Sequence, residues 1–332
     1  MSIKKLRVAV IADELTTACL SRECDVISMT PLDYWWVIRF WKPDLVFVES
    51  AWRGAWRSWA YKIATRPDSD VVNGSALRRV VELAREREVP CICWNKEDSV
   101  HYKRFSKSAA LFDYVFTVDE NCLESYQRLL PRGSYVGVLP FPVQKDVHYF
   151  RGAHFKIRGA NFVGSYSHHV HDRRRAWQNL MFSACSNAEL PLTVYDRNSR
   201  RLSGKYRFPK DEGTTVKPAV SHEATAQIYR DYFVSLNVNT IEDSASMYSR
   251  RLVEILACGG IAVTNPTLAV ETHFLEYCHV VHDLDQAAQL LSRLRNGPGK
   301  NDLEMAKAGA DYVSRTHTWT QRLEEIRGIV GF

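Results

Sequence analysis

Twice along this 332-residue chain, short runs of β-branched and aliphatic residues alternate with amphipathic stretches, and a proline-rich segment separates the two series. A strand buried on both faces reads as a continuous apolar run, while a helix covering it shows one apolar stripe, so the pattern predicts βαβ units and parallel sheets. In the first series the strand-like runs fall at 7–12, 45–48, 91–94, 114–118 and 135–138. A helix over 76–88 is marked by Leu77, Val80, Val81 and Ala84 at helical spacing. Asp119 is placed to cap a helix running to Leu130, where Pro131 and Gly133 end it. Leu139-Pro140-Phe141-Pro142 has no helical period and reads as a linker, which puts a boundary near 145–158. The second series has strands at 161–164, 192–195, 233–238, 261–264 and 279–281. Its helices start at 172 and cover 224–231, 250–258, 283–296, 302–315 and 318–330, and 196–220 reads as irregular and polar. The expectation is an α/β chain of two Rossmann-like domains, 1–150 and 151–316, facing across a cleft. The last segment, 317–332, is expected as a helix that packs back on the first domain.

With 45% hydrophobic and 25% charged residues the chain can bury two cores. The apolar run at 6–12 stops at Asp13-Glu14 with no cleavage site behind it, and no run is long enough to span a bilayer. A cytoplasmic protein is therefore expected. Eight cysteines without a CxxC pair or zinc-like spacing read as reduced core thiols. The net charge of +6 suits a polyanionic substrate or peripheral contact with an anionic membrane surface, and does not by itself separate a nucleotide-sugar enzyme from a nucleic-acid binder.

In open parallel sheets ligands bind beyond the carboxyl ends of the strands. The sharpest pattern there is Ser249-Arg250-Arg251-Leu252-Val253-Glu254, leading to Cys258-Gly259-Gly260 and a strand. Arg250 and Arg251 in the first turn of a helix make an anion site, and a carboxylate one turn later, Glu254, can accept both ribose hydroxyls. A solvated surface helix is the competing reading. At Phe162-Val163-Gly164-Ser165, Gly164 and Ser165 end a strand before a basic helix carrying Arg173, Arg174 and Arg175, an arrangement that lets backbone N–H groups approach a phosphate. His168, His169 and His171 lie nearby with no cysteine or carboxylate cluster to complete a metal site. Arg197, after Asp196 at another strand end, is a further donor contact or a salt-bridged loop.

In the first half, Trp94-Asn95-Lys96-Glu97-Asp98, with His101, offers Asp98, Glu97 and His101 as bases that could deprotonate an acceptor hydroxyl. Asp13, Glu14 and Glu49 compete by the same logic. The loop 49–59 begins at Glu49 and interleaves Trp52, Trp56 and Trp59 with arginines, which suits an acceptor platform of Trp52, Trp56 and Glu49 stacking on sugar rings, or binding of single-stranded nucleic acid. Packing of at least one tryptophan against a neighbouring helix is the plainer alternative.

Taken in order, the run 249–260, the turn 162–165 and the strand end 94–98 resemble the CgeB-like (spore maturation protein) glycosyltransferases, relatives of the group 1 glycosyltransferases. Leu139-Pro140-Phe141 and His317-Thr318-Trp319 with Arg322 extend the resemblance over most of the chain, and it is strongest over 233–265. It implies a GT-B fold, a nucleotide-sugar donor in the C-terminal domain, an acceptor on the N-terminal domain, and no cofactor or required metal. Glu254 matches the family glutamate that binds the nucleotide ribose. In retaining group 1 enzymes another glutamate, eight residues earlier, touches the donor sugar; here Ser246 stands there, so the resemblance carries over neither the stereochemistry nor the donor sugar.

The expected activity is metal-independent transfer from a nucleotide-diphosphate sugar to a saccharide, lipid-linked or other hydroxyl acceptor, in polysaccharide or other glycoconjugate synthesis. A nucleotide-sugar epimerase of the same fold and a non-catalytic nucleic-acid- or polysaccharide-binding module are the alternatives. A DNA-modifying glycosyltransferase lies between the classes.

Overall fold

The computed structural model describes residues 6–65, 74–209 and 213–332. The chain divides into two compact units, one of residues 1–141 with 319–332 and the other of residues 142–318.

In the first unit, β1 (Arg7–Ile11), α1 (Glu14–Leu20), β2 (Asp25–Ser28) and α2 (Tyr34–Trp36, continued by a π turn Val37–Trp41) lead to β3 (Leu45–Glu49). Then follow α3 (Ser75–Glu86), β4 (Cys91–Asn95), α4 (Tyr102–Ala109), β5 (Tyr114–Thr117), α5 (Leu123–Leu129) and β6 (Tyr135–Val138). The six strands form one sheet in the order β2-β1-β3-β4-β5-β6, with every pairing parallel. β3 and β4 are buried along their whole length, as strands covered on both faces must be. Asp119 accepts from the Asn121 N–H and starts a 3₁₀ turn that runs into α5. The chain returns to this unit at α12 (Trp319–Val330), where Trp319 packs edge-on against Trp94 at 5.5 Å and Phe47 at 6.2 Å.

The second unit begins its sheet with β7 (Ile157–Gly164), α6 (Asp172–Asn187), β8 (Leu192–Asp196), β9 (Thr214–Pro218) and α7 (His222–Asp231). It continues through β10 (Tyr232–Leu236), α8 (Arg250–Ala257), β11 (Ala262–Thr264), α9 (Leu268–His273), β12 (His279–Val280), α10 (Leu284–Leu294) and α11 (Lys300–Thr316). Its strands are ordered β12-β11-β10-β7-β8-β9, again all parallel. This is the doubly wound order whose direction of progression reverses between β7 and β10, and a crevice opens beyond the strand ends at such a reversal. In the first sheet the reversal lies between β1 and β3.

Two strands were not expected: β2, and β9 within the stretch read as irregular. Both are sheet edges, and four of the five β9 residues are exposed, so neither carries the apolar run that marks a central strand. All eight cysteines are buried and no disulfide joins any of them. No helix among the described residues is long and apolar enough to cross a membrane.

Candidate active site

The reversal point of the second sheet is filled by an arginine. Arg251, nearly buried, donates from Nε to the Val163 carbonyl at 2.6 Å and approaches the Asn237 side chain at 3.5 Å from Nη1, so it joins the ends of β7 and β10. Its guanidinium lies over the Phe162 ring, 4.5 Å from the centroid. Gly164 makes this possible, because a Cβ there would meet Arg251 Nη2 at 2.8 Å and the Phe162 ring at 2.6 Å. The glycine at this position therefore makes room for the guanidinium.

The helix bearing Arg251 is held by a polar lattice. Asn237 Nδ2 and Asn239 Nδ2 donate to Thr264 Oγ1 at 3.0 and 3.1 Å, Asn265 Oδ1 accepts from the Asn239 N–H, and Asn239 Oδ1 accepts from the Ser249 N–H. Ser249 is the N-cap of α8 but makes no side-chain cap, so the helix start keeps donors for a ligand.

From α6 a second cation converges on this point. Arg173 turns outward, 83% exposed at its side chain, and pairs with Glu242 at 2.7 Å, while Arg175 pairs with Asp172. Arg174 instead reaches 3.5 Å from the Ser165 carbonyl, with its Nε buried and without a hydrogen-bond partner. Successive helical residues point about 100° apart, so at most one of the three could face the sheet end. Burial, followed by the proximity of Arg251 and Arg197, draws the Arg174 pKa down to about 9. Burial is also the leading cause for Arg251, drawn down to about 10, with Tyr229 opposing and Arg197 adding repulsion. Both stay charged at neutral pH, and neither pairs with a carboxylate among the described residues. Ser165 is half-buried and receives Gln178 Nε2 on its carbonyl at 3.0 Å. Arg197 is exposed, with its N–H on the Gly164 carbonyl at 2.9 Å, while neighbouring Asp196 lies 3.8 Å from Arg207.

One turn into α8, Glu254 is almost buried and its Oε1 accepts twice, from Arg250 Nε at 2.9 Å and from His222 Nε2 at 3.1 Å. Burial alone would raise its pKa, but Arg250 and the adjacent imidazoles outweigh this and hold the carboxyl well below the usual range. Oε2 takes no hydrogen bond among the described residues, and it is the atom left for hydroxyl donors. Beyond it stands His148, whose ring lies 4.6 Å from that of His222. Burial lowers the His148 pKa to about 4, so the ring is neutral at pH 7. His148 and His222 were not foreseen: one lies beside a segment read as linker, the other at a helix start with no pattern around it. His168 and His169 make local contacts, to the Arg207 carbonyl and to Ser167.

The first sheet gathers a different set at its own reversal point. Glu49, fully buried at the end of β3, accepts on Oε1 from the Asp13 N–H at 2.6 Å and from Lys96 Nζ at 2.9 Å, leaving Oε2 without a partner. Asp13 in turn accepts from the N–H groups of Trp52, Arg53 and Gly54, and so shapes the tryptophan loop. The three tryptophans have three fates. Trp59 is core, donating to the Met29 carbonyl; Trp52 is wedged against His101 and Phe105, with Arg104 over its ring; Trp56 stands 83% exposed.

Asp98 is fully buried and accepts from Asn95 Nδ2 at 2.6 Å, Thr117 Oγ1 at 2.8 Å and the Tyr126 hydroxyl at 3.0 Å. Burial, only partly offset by the Thr117 and Tyr126 hydroxyls, pushes its pKa up to about 7. Glu97 and His101 are half-buried on the same turn, and burial followed by Arg104 lowers the His101 pKa.

Residues 173–328 match a family model described as glycosyl transferase-like, a span containing Arg174, Arg197, Arg250, Arg251 and Glu254. Over that span the chain is similar to glycosyltransferases. Solved glycosyltransferase structures share its whole fold, GT-B. An alpha-glucosyltransferase in complex with UDP and a 13-mer DNA containing an HMU base superposes with a TM-score of 0.64 at 10% identity, covering 99% of this chain and 100% of that one. Sucrose-phosphate synthase from Thermosynechococcus elongatus gives 0.57 at 11% identity, with 98% of each chain covered. Anabaena HepE in complex with UDP and glucose gives 0.54 at 12% identity, covering 97% of this chain and 90% of that one. No curated protein sequence matches the chain.

Proposed function

We propose that the protein moves a sugar from a uridine-diphosphate donor, held by the second unit, to a hydroxyl acceptor handled by the first, without a required metal. The observation that carries this reading is the pair Arg174 and Arg251, two charged and largely buried guanidiniums without a carboxylate, at the reversal point of a doubly wound sheet. An unpaired buried cation costs several kcal/mol, and a diphosphate that neutralises two of them recovers that cost. As the glycosidic bond breaks, charge builds on the departing diphosphate, and cations already in place stabilise it without reorganisation. The N–H groups opening α8, with Gly164, Ser165 and Arg197 at the neighbouring strand ends, complete the anion site. Arg173, engaged with Glu242, is peripheral to it. Glu254, fixed through Oε1, offers Oε2 to the ribose hydroxyls. The choice of uridine rests on the UDP bound in two of the similar structures.

On the first unit, Glu97 and His101 are the base candidates with partial exposure, and Asp98 holds the turn that carries them. Trp56 offers an open ring to an acceptor, with Trp52 and Glu49 behind it. A saccharide or other glycoconjugate acceptor in the cytoplasm fits this surface. A second reading, an acceptor hydroxyl on a nucleic-acid base, is favoured by the exposed aromatics Trp35, Trp36, Phe40 and Trp56 among Arg39, Lys42 and Arg57, together with the net charge of +6.

The test is titration of UDP and UDP-sugars in EDTA, followed by a sugar-release assay with saccharide and oligonucleotide acceptors. Binding abolished by Arg251→Ala supports the donor site. Release of UDP only with an acceptor present excludes the epimerase and binding-module alternatives.

A further inference from the structure

We propose that His148, His222 and Glu254 form a site for a divalent transition-metal ion of the zinc class, and that occupancy of this site excludes the donor nucleotide. One ligand atom from each of the three residues lies within 4.8 Å of the others, and His222 Nε2 is already 3.1 Å from Glu254 Oε1. They come from three places in the chain: the segment before β7, the first residue of α7 and the second turn of α8.

The hydrogen bonds fix the state of His148. The Thr225 hydroxyl donates its proton to the His222 carbonyl at 2.7 Å, so at its 2.9 Å contact with His148 Nε2 it can only accept. Nε2 therefore carries the ring proton and Nδ1 presents a lone pair. That nitrogen is buried, on a residue 1% exposed, and has no hydrogen-bond partner. A buried acceptor left unsatisfied bears the full cost of losing its water, and such an atom in a native fold calls for an explanation. A neutral imidazole with its second nitrogen anchored by a hydroxyl is a prepared metal ligand.

Two imidazoles and one carboxylate are a donor set that zinc takes, at about 2.0–2.2 Å per bond. Ligation draws the three donor atoms a little closer than they stand, which side-chain rotation of half-buried His222 allows. Arg250 opposes the ion, since its Nε sits 2.9 Å from the same Glu254 oxygen. The exclusion of nucleotide rests on the reading of Glu254 as the ribose ligand: a carboxylate that turns onto an ion gives up the orientation, fixed by Arg250 at Oε1, in which Oε2 meets the ribose hydroxyls. Metal in this site is then an inhibitor of the enzyme rather than a cofactor.

The experiment is calorimetric titration of zinc chloride into EDTA-stripped, dialysed protein, with UDP titrated separately in EDTA. The expected result is one ion per chain, with affinity reduced more than about 100-fold in His222→Ala and Glu254→Gln, beyond the loss a merely supporting residue causes. Arg250→Ala separates the two ligands: zinc affinity rises about tenfold or more, equivalent to about 1.4 kcal/mol, while UDP affinity falls. Cobalt(II) substitution should show no thiolate charge-transfer band, which distinguishes the site from the buried cysteines. Folded wild type that binds no zinc stoichiometrically, or binds it equally well in His222→Ala, overturns the proposal. Zinc bound as described by protein that binds no UDP in EDTA upholds the metal site and overturns the donor reading instead.

Discussion

Arg251 Nη2 lies 2.8 Å from the point where a Cβ on Gly164 would stand. Gly164→Ala must therefore displace either the guanidinium or the Phe162 ring, at a cost of about 1–3 kcal/mol for overpacking. Chemical denaturation should show that loss, and UDP affinity should fall with it, because the proposed phosphate ligand Arg251 either moves or loses the ring it lies over.

Arg174 and Arg173 separate charge that is placed from charge that is merely nearby. Arg174→Ala should lower kcat/KM about 100-fold, the scale on which one preorganised electrostatic contact acts, whereas Arg173→Ala should stay within a few-fold of wild type. The ligand-free protein should lose no stability in Arg174→Ala, since the substitution relieves repulsion from Arg251 and Arg197. A melting curve with and without UDP reads both effects.

Asp98 makes a pH prediction. Its pKa is raised from 3.8 to about 7, burial being the leading cause, so between these values the folded protein binds more protons than the unfolded chain. The contribution to stability is full below about pH 4 and is lost as pH rises through about 7, amounting to something on the order of 4 kcal/mol. Asp98→Asn keeps an acceptor for Tyr126 and Thr117 and removes the ionisation. Its stability relative to wild type should rise from pH 5 to pH 8.

Trp56 and Trp52 should part company. Trp56→Ala is expected to leave the melting temperature unchanged and to raise KM for the acceptor, because the ring touches solvent rather than core. Trp52→Ala removes contacts to His101, Phe105 and Arg104 and should cost stability of about 2 kcal/mol or more. Denaturation curves and acceptor-dependent initial rates distinguish the two.

The parallel α/β architecture was legible because central strands such as β3 and β4 are apolar throughout and α3 carries its apolar stripe at Leu77, Val80, Val81 and Ala84. The edge strands β2 and β9 were not, since an edge needs no apolar run. At the candidate site, composition pointed to the basic run 173–175 at the start of α6, with Arg173 named first, but could not say which arginine turns inward; that depends on how α6 sits on its sheet, and it is Arg174. His148 lay furthest from view. Residues 148, 222 and 254 meet only through the folding of the second unit, and no local spacing encodes their meeting.

The central claim is that Arg251, with Arg174, binds the diphosphate of the donor in the second unit. The most direct measurement is the UDP-induced thermal shift in EDTA for wild type and Arg251→Ala, each first shown to be folded. UDP at a hundred times its dissociation constant should add about 2.7 kcal/mol to the wild type and nothing measurable to the variant. An equal shift in both proteins would contradict the account.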